Sequence, residues 1–153
     1  MKKIILILLV CLSALAVLGQ KRIAPKSPEE KLNEEYCSGL FKMEDGIIFD
    51  LLSDNTTVNS YFNILDWLGG RVAGLQVFTL RNGVRIPVIR GQQTTVYVDE
   101  IPVSPDFLNS LPVTDIAMIK VIKTPFLGGF NGSGGAIAIY TTNTGKDESG
   151  EEE

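Results

Sequence analysis

Residues 132–142 read Gly-Ser-Gly-Gly-Ala-Ile-Ala-Ile-Tyr-Thr-Thr, and the fold turns on the second half of that run. Ile137 and Ile139 alternate with Ala136, Ala138 and Tyr140, so a strand over residues 136–142 is apolar on both faces. A strand covered on both sides belongs in the middle of a sheet. Working outward, residues 116–123 form a strand with Ala117, Ile119 and Val121 on one face and Lys120 on the other. Residues 94–99 alternate as well, with Val96 and Val98 together. Residues 75–80 form a short strand, Arg81-Asn82-Gly83 a turn, and Val84, Ile86 and Val88 a further alternating run. Pro87 lacks a donor, which predicts an edge position or a bulge for that strand. Residues 46–52 add another strand. Phe62, Leu65 and Leu68 fall at helical spacing before Gly69-Gly70, and residues 105–111 make a second helical turn ended by Pro112. The expected fold class is α+β: a small mixed β-sheet of four to five strands with two short helices.

The ends of the chain read differently. Lys2 and Lys3 precede an apolar run over residues 4–18, the pattern of a secretory signal, with cleavage expected between Gly19 and Gln20. The run is shorter than the roughly 20 residues of a spanning helix. Val10 before Cys11 is not the small residue that lipidation wants. Residues 20–45 are expected as a flexible polar arm, with a short helix starting at Ser27-Pro28. Residues 46–143 are the expected folded domain. Residues 144–153 form an acidic tail too polar to fold, and such an ending argues for a complete chain rather than a cut one.

Composition excludes several chemistries. The chain has no histidine, which removes the usual general base and the commonest metal ligand. Loss of the signal would take Lys2 and Lys3 and no acid, moving the net charge from −4 to about −6. An acidic chain is a poor ligand for nucleic acid or anionic lipid. Cys37 alone would remain, too few for a zinc site or an internal disulfide, and it is expected to be buried and inert. Asp99 and Glu100 are neighbours on an expected strand and would point to opposite faces. The glycine-rich run over residues 128–135 opens a strand, not a helix, and no lysine follows. It is therefore expected to serve positive φ and close backbone approach rather than to cradle phosphate. No catalysis, metal or cofactor is expected.

Five segments in order carry a family resemblance: NILDWLGGRVAGLQV (63–77), PVIRG (87–91), TTVYVDEIPV (94–103), TDIAMIKVIKTP (114–125) and GGFNGSGGAIAIYTT (128–142). Together they resemble the plug domain of TonB-dependent outer-membrane receptors, most closely the SusC-like branch. Ile89-Arg90-Gly91 resembles the family's I-R-G motif, whose arginine is commonly tied to acidic groups of the barrel wall. Three positions depart from the pattern: Glu100 and Thr124 stand where glycine is preferred, and Asn131 where tyrosine is common. No convincing TonB box is present in residues 20–36.

The resemblance implies an exported plug-like protein without its barrel, periplasmic and associated with the outer membrane through a partner. That partner would be an outer-membrane β-barrel or a TonB-type envelope protein, engaged by protein–protein contact in or near nutrient uptake. The candidate partner contacts are Arg90, Asp99, Lys120, Gly128, Phe130 and Gly132. The alternative is a soluble periplasmic glycan- or ligand-binding module using Tyr97, Phe126 and Phe130.

Overall fold

The computed structural model describes residues 25–53, 55–128 and 132–144. The expected signal, Phe130 and residues 145–153 of the expected tail lie outside the described residues. Among the described residues no helix is long and apolar enough to cross a membrane.

The short helix expected from Ser27-Pro28 is present, and residues 25–45 go on into a second helix that packs on the sheet, where their polar composition predicts a flexible arm. Helix α1 (Pro28–Tyr36) starts on a full capping box, Ser27 and Glu30 each bonding the other's backbone N–H. Helix α2 (Gly39–Met43) follows after Cys37 and Ser38. Leu32, Tyr36, Cys37 and Phe41 recur at helical spacing and pack on one face of the main sheet. The acids that make the segment look soluble lie on its outer side.

Strand β1 (Ile47–Asp50) ends where the Asp50 carboxylate accepts from the backbone N–H groups of Leu52 and Ser53, at 3.0 and 3.1 Å. After α3 (Asn55–Val58) comes α4 (Ile64–Gly69), whose first free donor, Leu65 N–H, is taken by the Asn63 side chain at 2.9 Å. Ile64, Leu65, Trp67 and Leu68 of α4 are all buried. The chain then forms β2 (Leu75–Thr79), β3 (Arg85–Ile89), β4 (Gln92–Gln93), β5 (Thr95–Val98) and β6 (Ile101–Val103). Two 3₁₀ turns (Pro105–Asn109 and Val113–Asp115) lead to β7 (Ile116–Ile122), and a third (Gly132–Gly134) to β8 (Ala136–Thr141).

The main sheet has the order β1-β7-β8-β5-β6, and β8 is its central strand as the two-faced pattern predicts. Only β5 and β8 run parallel, which makes the sheet mixed. One face, with Val96, Ile119, Val121, Ile137 and Ile139, packs against α4 and the Pro105–Asn109 turn. The other, with Tyr97, Met118, Ile122, Ala138 and Tyr140, is covered by α1 and α2. A register shift between Ile116 and Met118 brings Ile116 onto the face of Ile119 and Val121.

The fold class stands as α+β, and the sequence reading had folded a second sheet into the first. Strands β2, β3 and β4 form a separate three-stranded sheet. The Pro87 carbonyl accepts from Thr94 N–H at 2.9 Å, so its missing donor also faces the β4 side. Strand β3 is thus the middle strand of its sheet and not the edge that Pro87 predicts; the proline falls opposite Thr94, just past the last β4 pair, Val88–Gln93.

Candidate functional site

Arg90 sits in the two-residue turn between β3 and β4, with φ of +53° at Arg90 and +79° at Gly91. Two successive positive φ values suit a tight hairpin. For a residue with a Cβ the left-handed region costs about 1–2 kcal/mol. The side chain is exposed, and among the described residues it makes no ion pair.

Asp99 and Lys120 are placed otherwise. Asp99 and Glu100 form the β5–β6 turn, at φ +48° and +66°, and do not lie on a strand. The Asp99 carboxylate accepts from Thr141 N–H (2.8 Å), Thr141 Oγ1 (3.0 Å) and Thr144 Oγ1 (2.5 Å). It pins the end of β8 and has little left for a partner. Glu100 turns the other way, accepting from Ser38 N–H at 2.6 Å, from the Ser38 hydroxyl and from the Tyr140 hydroxyl at 3.1 Å. The glycine that the family pattern prefers here could make none of these bonds.

Lys120 is 2 % exposed. Its Nζ donates to Asn33 Oδ1 at 2.7 Å and to the Phe41 carbonyl at 2.5 Å, while Asn33 Nδ2 donates to the Lys42 carbonyl at 3.0 Å. Burial pushes the Lys120 amine below its usual range, against the pull of Cys37, Asp45 and Glu44. This lysine fastens α1 and α2 to the sheet from within. Glu100 provides the second fastener. Cys37, buried beneath them as expected, has its thiol pushed up by burial.

The glycines of the 128–135 run are structural where described. A Cβ on Gly128 would stand 2.4 Å from the ring of Phe126, and one on Gly134 2.0 Å from the Gln93 carbonyl oxygen. Gly135 has φ +75° and lies as close to the Ile122 carbonyl oxygen, 2.2 Å from a built Cβ. Gly132 opens the short turn beside them. Tyr97 and Phe126 are both buried, stacked around Phe41 with ring centroids 4.9 and 4.7 Å from it, so two of the three aromatics named for sugar contact are core residues. Arg90 lies in the β3–β4 turn of the three-stranded sheet, whereas Asp99 sits beside Thr141 at the end of β8 in the main sheet, so the two do not form one site. Of the three charged residues among the expected contacts, Arg90 is exposed and without an ion pair among the described residues, whereas Asp99 and Lys120 are bonded within the chain.

No protein-family profile matches the chain, and no curated protein matches it. Solved structures do. The structure of the RagAB peptide importer matches 64% of this chain at a TM-score of 0.53 and 22% identity. The fold is that of a TonB-dependent receptor plug. The siderophore receptor PirA of Acinetobacter baumannii matches a plug-like 77% of the chain at 0.51 and 20% identity. A mutant of the ferric enterobactin receptor PfeA of Pseudomonas aeruginosa matches 76% at 0.50 and 17% identity. The matched regions cover 12%, 19% and 19% of those chains, so this plug-like chain spans less than a fifth of each.

Proposed function

We propose that the chain is a plug-like protein of the bacterial cell envelope that works by docking, in or near outer-membrane nutrient uptake. The partner is a β-barrel or a TonB-type envelope protein, and the chain lies on the periplasmic side, held at the outer membrane through that partner. The observation that carries this reading is Arg90, exposed and strained on a plug fold, in the place of the I-R-G arginine. An arginine fork suits a bidentate grip on a partner carboxylate. The SusC-like assignment rests on the five sequence segments. A role without catalysis is supported by the lack of histidine.

Cross-linked capture of the tagged protein from its own envelope, read by mass spectrometry, tests this. A barrel or a TonB-type protein should be recovered by the native chain and much less by Arg90→Ala, whose fold should be unchanged. Equal recovery by the variant removes Arg90 from the contact. Recovery of neither class from a folded, abundant protein removes the docking role.

A further inference from the structure

The three-stranded sheet has two apolar faces, and the core uses only one. Leu75, Val77 and Ile89 point into the core. Phe78 pairs with Ile86, and Gln76 with Val88, on the opposite face. Leu80, whose N–H donates to the Val84 carbonyl at 2.8 Å, extends that face with Val84. Phe78 is 53% and Leu80 50% exposed, and Val84, Ile86 and Val88 are half-buried. Five apolar side chains thus form a continuous outer patch, which calls for a partner.

Beside the patch runs an open edge. Strand β2 is terminal in its sheet. The Leu80–Val84 bond fixes the backbone phase, so the N–H and C=O groups of Val77 and Thr79 face away from β3, on a side where no strand lies among the described residues. Sheet edges are ordinarily guarded by proline or charge. The edge strands of the main sheet follow that rule, with Asp50 in β1 and Pro102 in β6. The sequence of β2, Leu-Gln-Val-Phe-Thr, has neither.

Charge selects the occupant. Residues 67–98 contain no Asp or Glu, yet hold Arg71, Arg81, Arg85 and Arg90 in a chain of net charge −4. Arg85 is paired with Asp66 at 2.7 Å, and Arg71 lies over the Trp67 ring at 4.3 Å. Arg81, exposed in the β2–β3 turn, has no ion-pair partner among the described residues. A second copy paired edge to edge through β2 would set this acid-free segment against itself and leave Arg81 without a carboxylate. We infer that β2 receives an extended segment of a different protein, one with alternating apolar residues and a carboxylate at the end that meets Arg81. The added strand would bond to Val77 and Thr79 and lay its apolar side chains beside Phe78 and Leu80. This contact goes beyond the docking role proposed above and does not use Arg90.

The probe is a Val-Thr alternating peptide of roughly ten residues with glutamate at both ends, compared with a lysine-ended twin and a proline-interrupted twin. Binding to the full chain is followed by fluorescence anisotropy, and the site by amide shifts. The expected result is at least about tenfold tighter binding of the glutamate peptide than of either twin, with shifts at Val77 and Thr79. Arg81→Glu should reverse the preference between charges, and Phe78→Ser should weaken both. Equal binding of the glutamate and lysine peptides, or unmoved Val77 and Thr79 amides, overturns the proposal. So does a dimer in sedimentation that Phe78→Ser abolishes, since the face would then be covered by a second copy.

Discussion

Replacing Glu100 by glycine sets two effects of known sign against each other. Glycine relieves the left-handed strain at φ +66°, a gain of about 1 kcal/mol after its own entropy cost. It also removes the acceptor for Ser38 N–H, the Ser38 hydroxyl and the Tyr140 hydroxyl. For a half-exposed carboxylate these are worth about 1 kcal/mol each after solvent competition. The wholly buried Tyr140 hydroxyl keeps the Cys37 side chain as a partner and adds no further penalty. The balance is a loss of about 2 kcal/mol, or a melting point lower by roughly 7 °C. The loss should be local first: hydrogen exchange of the amides at 37–41, in the joint between α1 and α2, should speed up before that of β8. A Glu100→Gly protein with unchanged melting and unchanged exchange at Ser38 would show that the fastener carries no energy, and the reasoning about this turn would fall.

Three further outcomes follow from the same geometry. Arg90→Gly should raise stability by about 1 kcal/mol in denaturant titration, because it frees a strained backbone whose exposed side chain makes no ion pair among the described residues, while weakening envelope capture. Gly134→Ala should cost more than about 2 kcal/mol in the same assay, since the new Cβ would lie 2.0 Å from the Gln93 carbonyl oxygen. Lys120 has a folded pKa below the usual lysine value, so the unfolded chain binds more protons between the two. Its contribution is present in full above the usual value and is lost as pH falls through the lowered one. The difference in stability between the native chain and Lys120→Met should change in that direction across the window, a comparison that cancels the opposing buried tyrosines.

Period-two patterning made β5, β7 and β8 legible, because a strand apolar on both faces has one place to go. Residues 25–45 offer no such period, and their composition points to a flexible arm with one short helix. Glu29, Glu30, Glu34 and Glu35 dominate the composition there, and the four residues that pack, Leu32, Tyr36, Cys37 and Phe41, are spread thinly between them. Missing that cover had consequences for the site. Lys120 was read as lying on the far face of its strand, which is right, but the face is roofed by α1 and α2 and its charge is held inside. Asp99 was read as strand, and its bonds to Thr141 and Thr144 span more than 40 positions that no local pattern encodes. Arg90 was legible from the turn glycine beside it. The outer face of β2 and β3 was not, since alternation of Val84, Ile86 and Val88 marks a face without saying whether anything covers it.

The last strand among the described residues is also the middle strand of the main sheet. Strands β5 and β7 do not pair with each other; each pairs with β8 on its own side. Until residues 136–141 exist, neither half of the sheet has its neighbour; the β5–β8 pairs span 41 positions, as from Thr95 to Ala136, and the β1–β7 pairs up to 74, from Ile47 to Val121. Topologies of this kind fold late and slowly. A nascent chain that has not reached residue 136 therefore lacks the strand that closes its main sheet, and is still open.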